Sequence, residues 1–307
     1  MISNTCPIFR PENEAALHHL LNKVAANWHV IALPDPERLQ GLMHDNTWRV
    51  YGEWLTQAYK TTVNRPRRWI GPSDCQSCDP ERLAEYCALP VLILVENVAS
   101  DGEFLKLITA KLRPALGRRF SGTYPQVQLT QAGGITELPK ETLRLGGRYA
   151  AARPAVDLPS RFIVIADSDG HVPGDQSADA RKVAEVAQRI GVSYHVLHKR
   201  SIENYIPDPA LRAYADTRKD RKAAAELVSS LPRHARDHYP MKSGLSEHDL
   251  VEGSSIYPPH LPLSIGLGDF VVDLLTHFGH SVYAGDLLDR DGEGELNGLL
   301  DLVEENI

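Results

Sequence analysis

Long apolar runs are absent from this 307-residue chain. No stretch approaches the roughly 20 residues that a bilayer span requires, and the opening MISNTCPIFRPENEAALHH has neither the charged start nor the apolar centre of a secretory signal. Both absences predict a cytoplasmic protein with no membrane-embedded part. Cysteine is scarce too. Four residues, Cys6, Cys75, Cys78 and Cys87, are too few for a disulfide scaffold and fit a reducing compartment. Only one Cys-x-x-Cys pair occurs, Cys75 and Cys78 with Cys87 nearby, whereas a zinc site is recognised by two spaced pairs. Loop and core thiols are therefore expected, with zinc the alternative if Cys6 or a histidine completes a set. No segment has the form GxxxxGK followed by Ser or Thr, so any nucleotide-driven control has to come from a partner.

Net positive charge, the usual footprint of a nucleic-acid protein, is missing as well: the formal charge is −7. Its distribution is uneven. Residues 243–307 hold 13 acidic residues and one basic residue, Arg290, so this tail carries −12 and the 242 residues before it +5. Basic residues cluster at Arg65, Arg67 and Arg68 beside Trp69, at Arg113, Arg118 and Arg119, and at Arg212, Arg218, Lys219, Arg221 and Lys222. Such clusters permit contact with a phosphate backbone, though each alone reads as a solvated face.

What is present is a hydrophobic share of 42%, enough for a sizeable core divided into two or three compact units. Residues 1–88 have helical periodicity, clearest at 15–28 and 48–60. Near Pro90 the texture changes to VLILV, a β-branched run suited to a strand buried on both faces of a parallel sheet. Ser100 and Glu103 have the spacing of a capping box, and Phe104, Leu105, Ile108 and Leu112 recur on one helical face. QVQLT is a second strand closing at Gly133 and Gly134, and RFIVIAD a third. A helix with Val183, Val186, Ala187 and Ile190 inward follows, then SYHVLH as a fourth strand. Alternation at this spacing predicts right-handed βαβ units in an α/β fold with a parallel sheet. After Pro207 the pattern turns helical again, clearest at 211–230 and 269–278.

Ligands of open parallel sheets collect at the carboxyl ends of the strands. Glu96 ends VLILVE, and Asp167 and Asp169 end RFIVIADSD. If those strands are neighbours, three carboxylates converge, and their repulsion calls for a cation. Oxygen-rich carboxylate sites suit Mg²⁺ or Mn²⁺, and phosphodiester chemistry is their natural use.

VLILVENVASDGEFL followed by FIVIADSDGH resembles the Toprim domain of topoisomerases, primases and the nucleases of the OLD (overcoming lysogenization defect) group, and HVLHKRSIENYIP is similar to the third segment of OLD-like, defence-associated Toprim nucleases. The resemblance covers roughly 120 residues and extends weakly to YPMKSGL. It implies a Toprim, Rossmann-like catalytic domain over 89–206, between a helical N-terminal region, 1–88, and a helical C-terminal region with an acidic tail, 207–307. It also implies that Glu96, Asp167 and Asp169 bind Mg²⁺ or Mn²⁺, with Asp101 near the place of a further acid and Glu203 a ligand or outer carboxylate. Lys199 or Arg200 would steady the phosphate. The activity implied is a metal-dependent endonuclease acting on DNA or RNA, the effector of an antiphage system with an ABC-type ATPase sensor as partner, and capable of forming homo-oligomers. The chain differs from the family at Asn97, where Gly is common, at Ser100, where many nucleases have an acid, and at His171, where topoisomerases have a third Asp.

Three other readings stand beside this one. A non-catalytic Toprim-like subunit would bind nucleic acid or a partner without turnover. FIVIADSDG also resembles the nucleophile loop of haloacid-dehalogenase-like phosphatases, in which the first Asp attacks phosphorus. Finally, Asp289 to Glu295 has the look of a calcium loop but has Leu300 where the closing Glu belongs, so a solvated acidic face is expected there.

Overall fold

The VLILV run forms strand β1, Val91–Val95, whose side chains are almost all buried, as two-sided burial in a parallel sheet demands. Around it the computed structural model describes residues 8, 10–25, 40–41, 43–61, 79–122, 125–154, 158–252 and 256–307. The chain divides into two compact units, residues 1–91 with 148–161 and 307, and residues 92–147 with 162–306. No helix among the described residues is long and apolar enough to cross a membrane.

In the first unit, helices α1 (Glu14–Ala25), α2 (Asp45–Thr61) and α3 (Pro80–Ala88) realise the expected periodicity. Leu17, Leu20 and Leu21 share one face of α1 and cluster with Leu83, Ala84 and the buried Cys87 of α3. Asp79 caps α3 by accepting the Glu81 N–H at 2.9 Å, with Pro80 in the first turn, where its missing N–H is harmless. Cys6, Cys75 and Cys78 of the zinc alternative, and the Arg65, Arg67, Arg68 and Trp69 cluster, lie outside the described residues.

The second unit is built on an all-parallel α/β sheet of Rossmann-like type, in the order β2-β1-β3-β4. The strands are β1, β2 (Val127–Gln131), β3 (Phe162–Ala166) and β4 (Ser193–Val196). Leu92 pairs with Phe162 and Leu94 with Val164, while Ile163 pairs with Ser193. The chain leaves β1 toward β2 on one side and β3 toward β4 on the other. The crevice beyond the carboxyl ends of β1 and β3 is thus the topological switch point, where such sheets bind ligands.

Helix α4 (Glu103–Leu112) follows β1, with Phe104, Leu105 and Ile108 buried. Its start corrects the capping-box expectation. Asn97 is the cap, in extended backbone, accepting the Ala99 N–H at 2.9 Å, and a π turn over Val98–Gly102 leads into the helix. The Ser100 hydroxyl instead donates to Asp101 at 2.6 Å. Helix α5 (Ala178–Ile190) is capped by Ser177 and closed by left-handed Gly191, and buries Val183, Val186 and Ala187 as expected.

The expected helix over 211–230 is two helices, α6 (Asp208–Thr217) and α7 (Lys222–Ser230). Arg218 leaves helical geometry between them and reaches Asp273 at 2.8 Å. Helices α8 (Val271–Phe278), α9 (Ala284–Asp291) and α10 (Glu295–Glu305) complete the unit. Residues on both sides of position 206 belong to this one unit, because the end of β4 and the acidic tail share buried polar contacts.

That tail is only in part the solvated face its composition suggests: Asp289, Glu293 and Asp301 are exposed, whereas Asp249, Asp291 and Glu295 are buried. Arg113 and Arg218 are paired with Asp301 and Asp273. Left-handed Gly292 and Gly294 turn the chain from α9 into α10 and bring Asp291 and Glu295 inside. A charged run reads as surface on composition alone. Here donors from β4 and from Tyr205 draw Glu295 inward.

Candidate functional site

Because β1 and β3 are adjacent and parallel, Glu96 and Asp167 leave the sheet side by side. The Asp167 N–H points to Glu96 Oε1 at 3.4 Å, and Asp167 Oδ1 accepts the Ile202 N–H at 3.2 Å. Ile202 opens the single turn Ile202–Tyr205, held by Asn204 Oδ1, which accepts from the Ser201 N–H and hydroxyl at 3.0 and 2.8 Å. The IENY segment therefore braces Asp167 through a backbone N–H.

Asp169 stands on a tight loop with φ +50°, a left-handed conformation that Asp tolerates better than most residues. Its N–H donates to the Arg200 carbonyl at 2.9 Å, and the Ser168 hydroxyl donates to the Lys199 carbonyl at 2.8 Å. Glycine is required next in the chain, since a Cβ on Gly170 would lie 2.3 Å from the Asp175 carbonyl oxygen.

The electrostatics agree that these acids are crowded. Burial, then the charges of Asp169 and Asp101, push Glu96 up to about 8. Burial and the Glu96 carboxylate raise Asp167 well above the usual carboxylate range. Burial likewise raises Asp101 and Asp169. Asp101 lines the cleft with both oxygens engaged, Oδ2 accepting the Asn97 N–H at 3.0 Å and Oδ1 the Ser100 hydroxyl. Asn97 thus caps the helix and fixes Asp101.

Glu96, Asp101 and Asp167, but not Asp169, line a cleft with a volume of about 320 Å³. On the β2 side, next to Glu96, it is edged by Gln131, Gly133 and Gly134. The glycines have φ +90° and +122°, conformations closed to L side chains, and the Gly133 N–H is held by the Glu96 carbonyl at 3.2 Å. Among the described residues one cation lines the cleft, Lys242, whose ammonium is 2.8 Å from the buried carboxylate of Glu203. Burial lowers the Lys242 pKa, but Glu203 and the neighbouring acids outweigh it and hold the group protonated.

The structure does not bring Lys199 to this cleft. Its ammonium donates to Asp237 Oδ1 at 2.7 Å and to the Arg290 carbonyl at 2.9 Å, and lies 5.1 Å from the centre of the Tyr205 ring. Burial and nearby Arg290 pull its pKa down to about 8. Arg200 is bonded to Asp249 at 2.8 Å, while its charge still acts on Asp169. Glu203 pairs with Lys242, not with Arg200. His171 pairs with Asp249 at 3.2 Å. The Arg113, Arg118 and Arg119 cluster precedes β2 and so sits at the opposite edge of the sheet from Glu96. Lys199→Met is expected to destabilise the fold by about 3 kcal/mol, since it removes a buried donor from Asp237. Urea denaturation measures the loss.

Lys242 and the glycine pair are the parts that motif reading missed. A double glycine straight after a strand was the available signal for the second. For Lys242 there was only the weak YPMKSGL likeness.

Among the described residues no three Asp, Glu, His or Cys side chains form a ready-made metal cage. The donor set nevertheless fits a hard cation. Mg²⁺ accepts one or two carboxylates and completes its shell with water and phosphate oxygens, and Glu96 and Asp167 are two adjacent carboxylates whose mutual repulsion a cation relieves. No protein-family model, curated protein or solved structure matches the chain.

Proposed function

We propose that the protein is a metal-dependent nuclease of Toprim type that cleaves phosphodiester bonds of DNA or RNA at the carboxyl edge of β1 and β3. The observation that carries this reading is the adjacency of Glu96 and Asp167 at the switch point, with Lys242 lining the same cleft. Glu96 and Asp167 would hold Mg²⁺ or Mn²⁺, flanked by Asp169 and Asp101. The bound ion supplies polarisation of the phosphodiester and a lowered pKa for an attacking water. Lys242, half exposed and protonated, faces an incoming phosphate oxygen, while Glu203 keeps its ammonium from swinging into solvent. The bare glycines of the rim let a sugar-phosphate backbone approach. A role as the effector of an antiphage system, controlled by a separate ABC-type ATPase, belongs to the same proposal.

A second reading, a binding subunit without turnover, is favoured by one observation: both oxygens of Asp101 already accept hydrogen bonds, so a closed set of ligands is lacking. One experiment separates the two. Plasmid DNA, single strands and tRNA are incubated with the protein in Mg²⁺, Mn²⁺ or EDTA. Cutting that needs the metal supports the nuclease, and binding with no cutting under any condition supports the subunit. Phosphate release from a small phosphomonoester would point to the phosphatase chemistry instead.

Lys242→Gln is expected to weaken nucleic-acid binding by about tenfold and to reduce the salt slope of binding by about one, as loss of one phosphate contact requires. Fluorescence anisotropy across a salt series checks this. An unchanged slope would remove Lys242 from the phosphate-binding role.

A further inference from the structure

Lys242 owes its place in the cleft to a backbone crossing between the YPMKSGL segment and residues 264–268. Leu267 and Gly268 donate N–H groups to the carbonyls of Met241 and Lys242 at 2.7 and 2.9 Å, and Ser264 donates to Leu245 at 2.8 Å. Residues 264–268 therefore run beside 241–245 as a short paired strap. The two backbones approach too closely for side chains. A Cβ on Gly266 would stand 2.1 Å from the Lys242 carbonyl oxygen, and one on Gly244, with φ +74°, 2.3 Å from the Ile265 nitrogen. The Tyr239 hydroxyl clamps the strap by donating to the Ile265 carbonyl at 2.6 Å, and Arg221 reaches the Gly266 carbonyl at 3.5 Å.

We propose that residues 264–268 are a positioning element for Lys242, and that Gly266 sets where its ammonium stands relative to Glu203 and to an anion in the cleft. The inference rests on Lys242 being the anion-facing group but does not require that the protein cut anything. Gly266 acts through Lys242 and touches no ligand itself. A methyl group at Gly266 displaces the Lys242 main chain, and a shift of about 1 Å at a positioned group is enough for a loss on the order of 100-fold in activity.

Two measurements on the full chain test it. In the first, an amine-reactive ester labels the free protein and the Lys242 peptide is followed by mass spectrometry. Lys242 is expected to react several-fold faster in Gly266→Ala than in wild type. Tyr239→Phe, which loosens the strap while keeping the buried ring, is expected to change in the same direction and serves if Gly266→Ala does not fold. Unchanged labelling in a folded variant overturns the proposal.

The second is a double-mutant cycle on binding of a fluorescent oligonucleotide. Gly266→Ala is expected to weaken binding about tenfold in the wild-type background and to have no effect in the Lys242→Gln background. Equal losses in both backgrounds overturn the proposal and leave the nuclease reading standing. A wild type that never cuts nucleic acid, but whose Lys242 labelling still depends on Gly266, removes the nuclease reading and leaves the strap.

Discussion

Glu96→Gln and Asp167→Asn are each expected to reduce metal-dependent cleavage by about 1000-fold, on the order of 4 kcal/mol of transition-state stabilisation. Each is also expected to raise the melting temperature of the metal-free protein by a few degrees. The two effects have one cause. Glu96 and Asp167 are crowded together and desolvated, so both are held far above the usual carboxylate range. A neutral amide of nearly the same shape relieves repulsion in the folded state and cannot hold the cation. A purely structural pair would behave in the opposite way, since removal of a favourable contact lowers stability. Plasmid cleavage and thermal unfolding on the same preparations, with and without Mn²⁺, measure both effects. Addition of Mn²⁺ should raise the melting temperature of wild type and leave the variants unmoved.

Glu295→Ala is expected to lose about 3 to 5 kcal/mol of stability, enough to unfold many domains of this size. This carboxylate is 2% exposed on its side chain. It accepts from the His198 N–H at 2.7 Å and from the Tyr205 hydroxyl, and pairs with His195 at 2.8 Å. Burial pushes its pKa up, but these donors outweigh burial and the net shift is downward from 4.5. The folded state therefore binds fewer protons than the unfolded chain between the two values. The stabilisation is fully present above 4.5 and fades as pH falls through the lowered, folded-state value. Glu295→Gln should flatten that acid limb in urea melts taken from neutral pH downward. An acid limb as steep in Glu295→Gln as in wild type would assign the loss to other groups.

Much of this arrangement was legible in the sequence. Strands β1 and β3 follow from apolar, β-branched runs suited to a sheet buried on both faces, β2 and β4 from shorter runs of mixed polarity, and Glu96 and Asp167 stand out as acids that end the apolar runs. Whether they meet depends on strand order, which periodicity cannot supply. The adjacency of β1 and β3 answers it. The resemblance at HKRSIENY implies Lys199 or Arg200 as the phosphate cation, but the side to which a cation at a strand end turns is a tertiary property. Asp237 and the Arg290 carbonyl draw Lys199 inward. Lys242 was hidden because its position comes from the crossing of Gly244 and Gly266, a contact between distant segments. Glu295 was hidden because acidic composition reads as surface, while its partners His195, His198 and Tyr205 lie far back in the chain.

The central claim of the proposal is that Glu96 and Asp167, at the ends of β1 and β3, would together hold one divalent ion. Crystals soaked in Mn²⁺ test it most directly through anomalous scattering. The expected result is a peak within about 2.2 Å of carboxylate oxygens from both Glu96 and Asp167, a normal coordination distance for a small hard cation, and its loss in Asp167→Asn. Full occupancy of Mn²⁺ elsewhere, with none between these two side chains, would contradict the account.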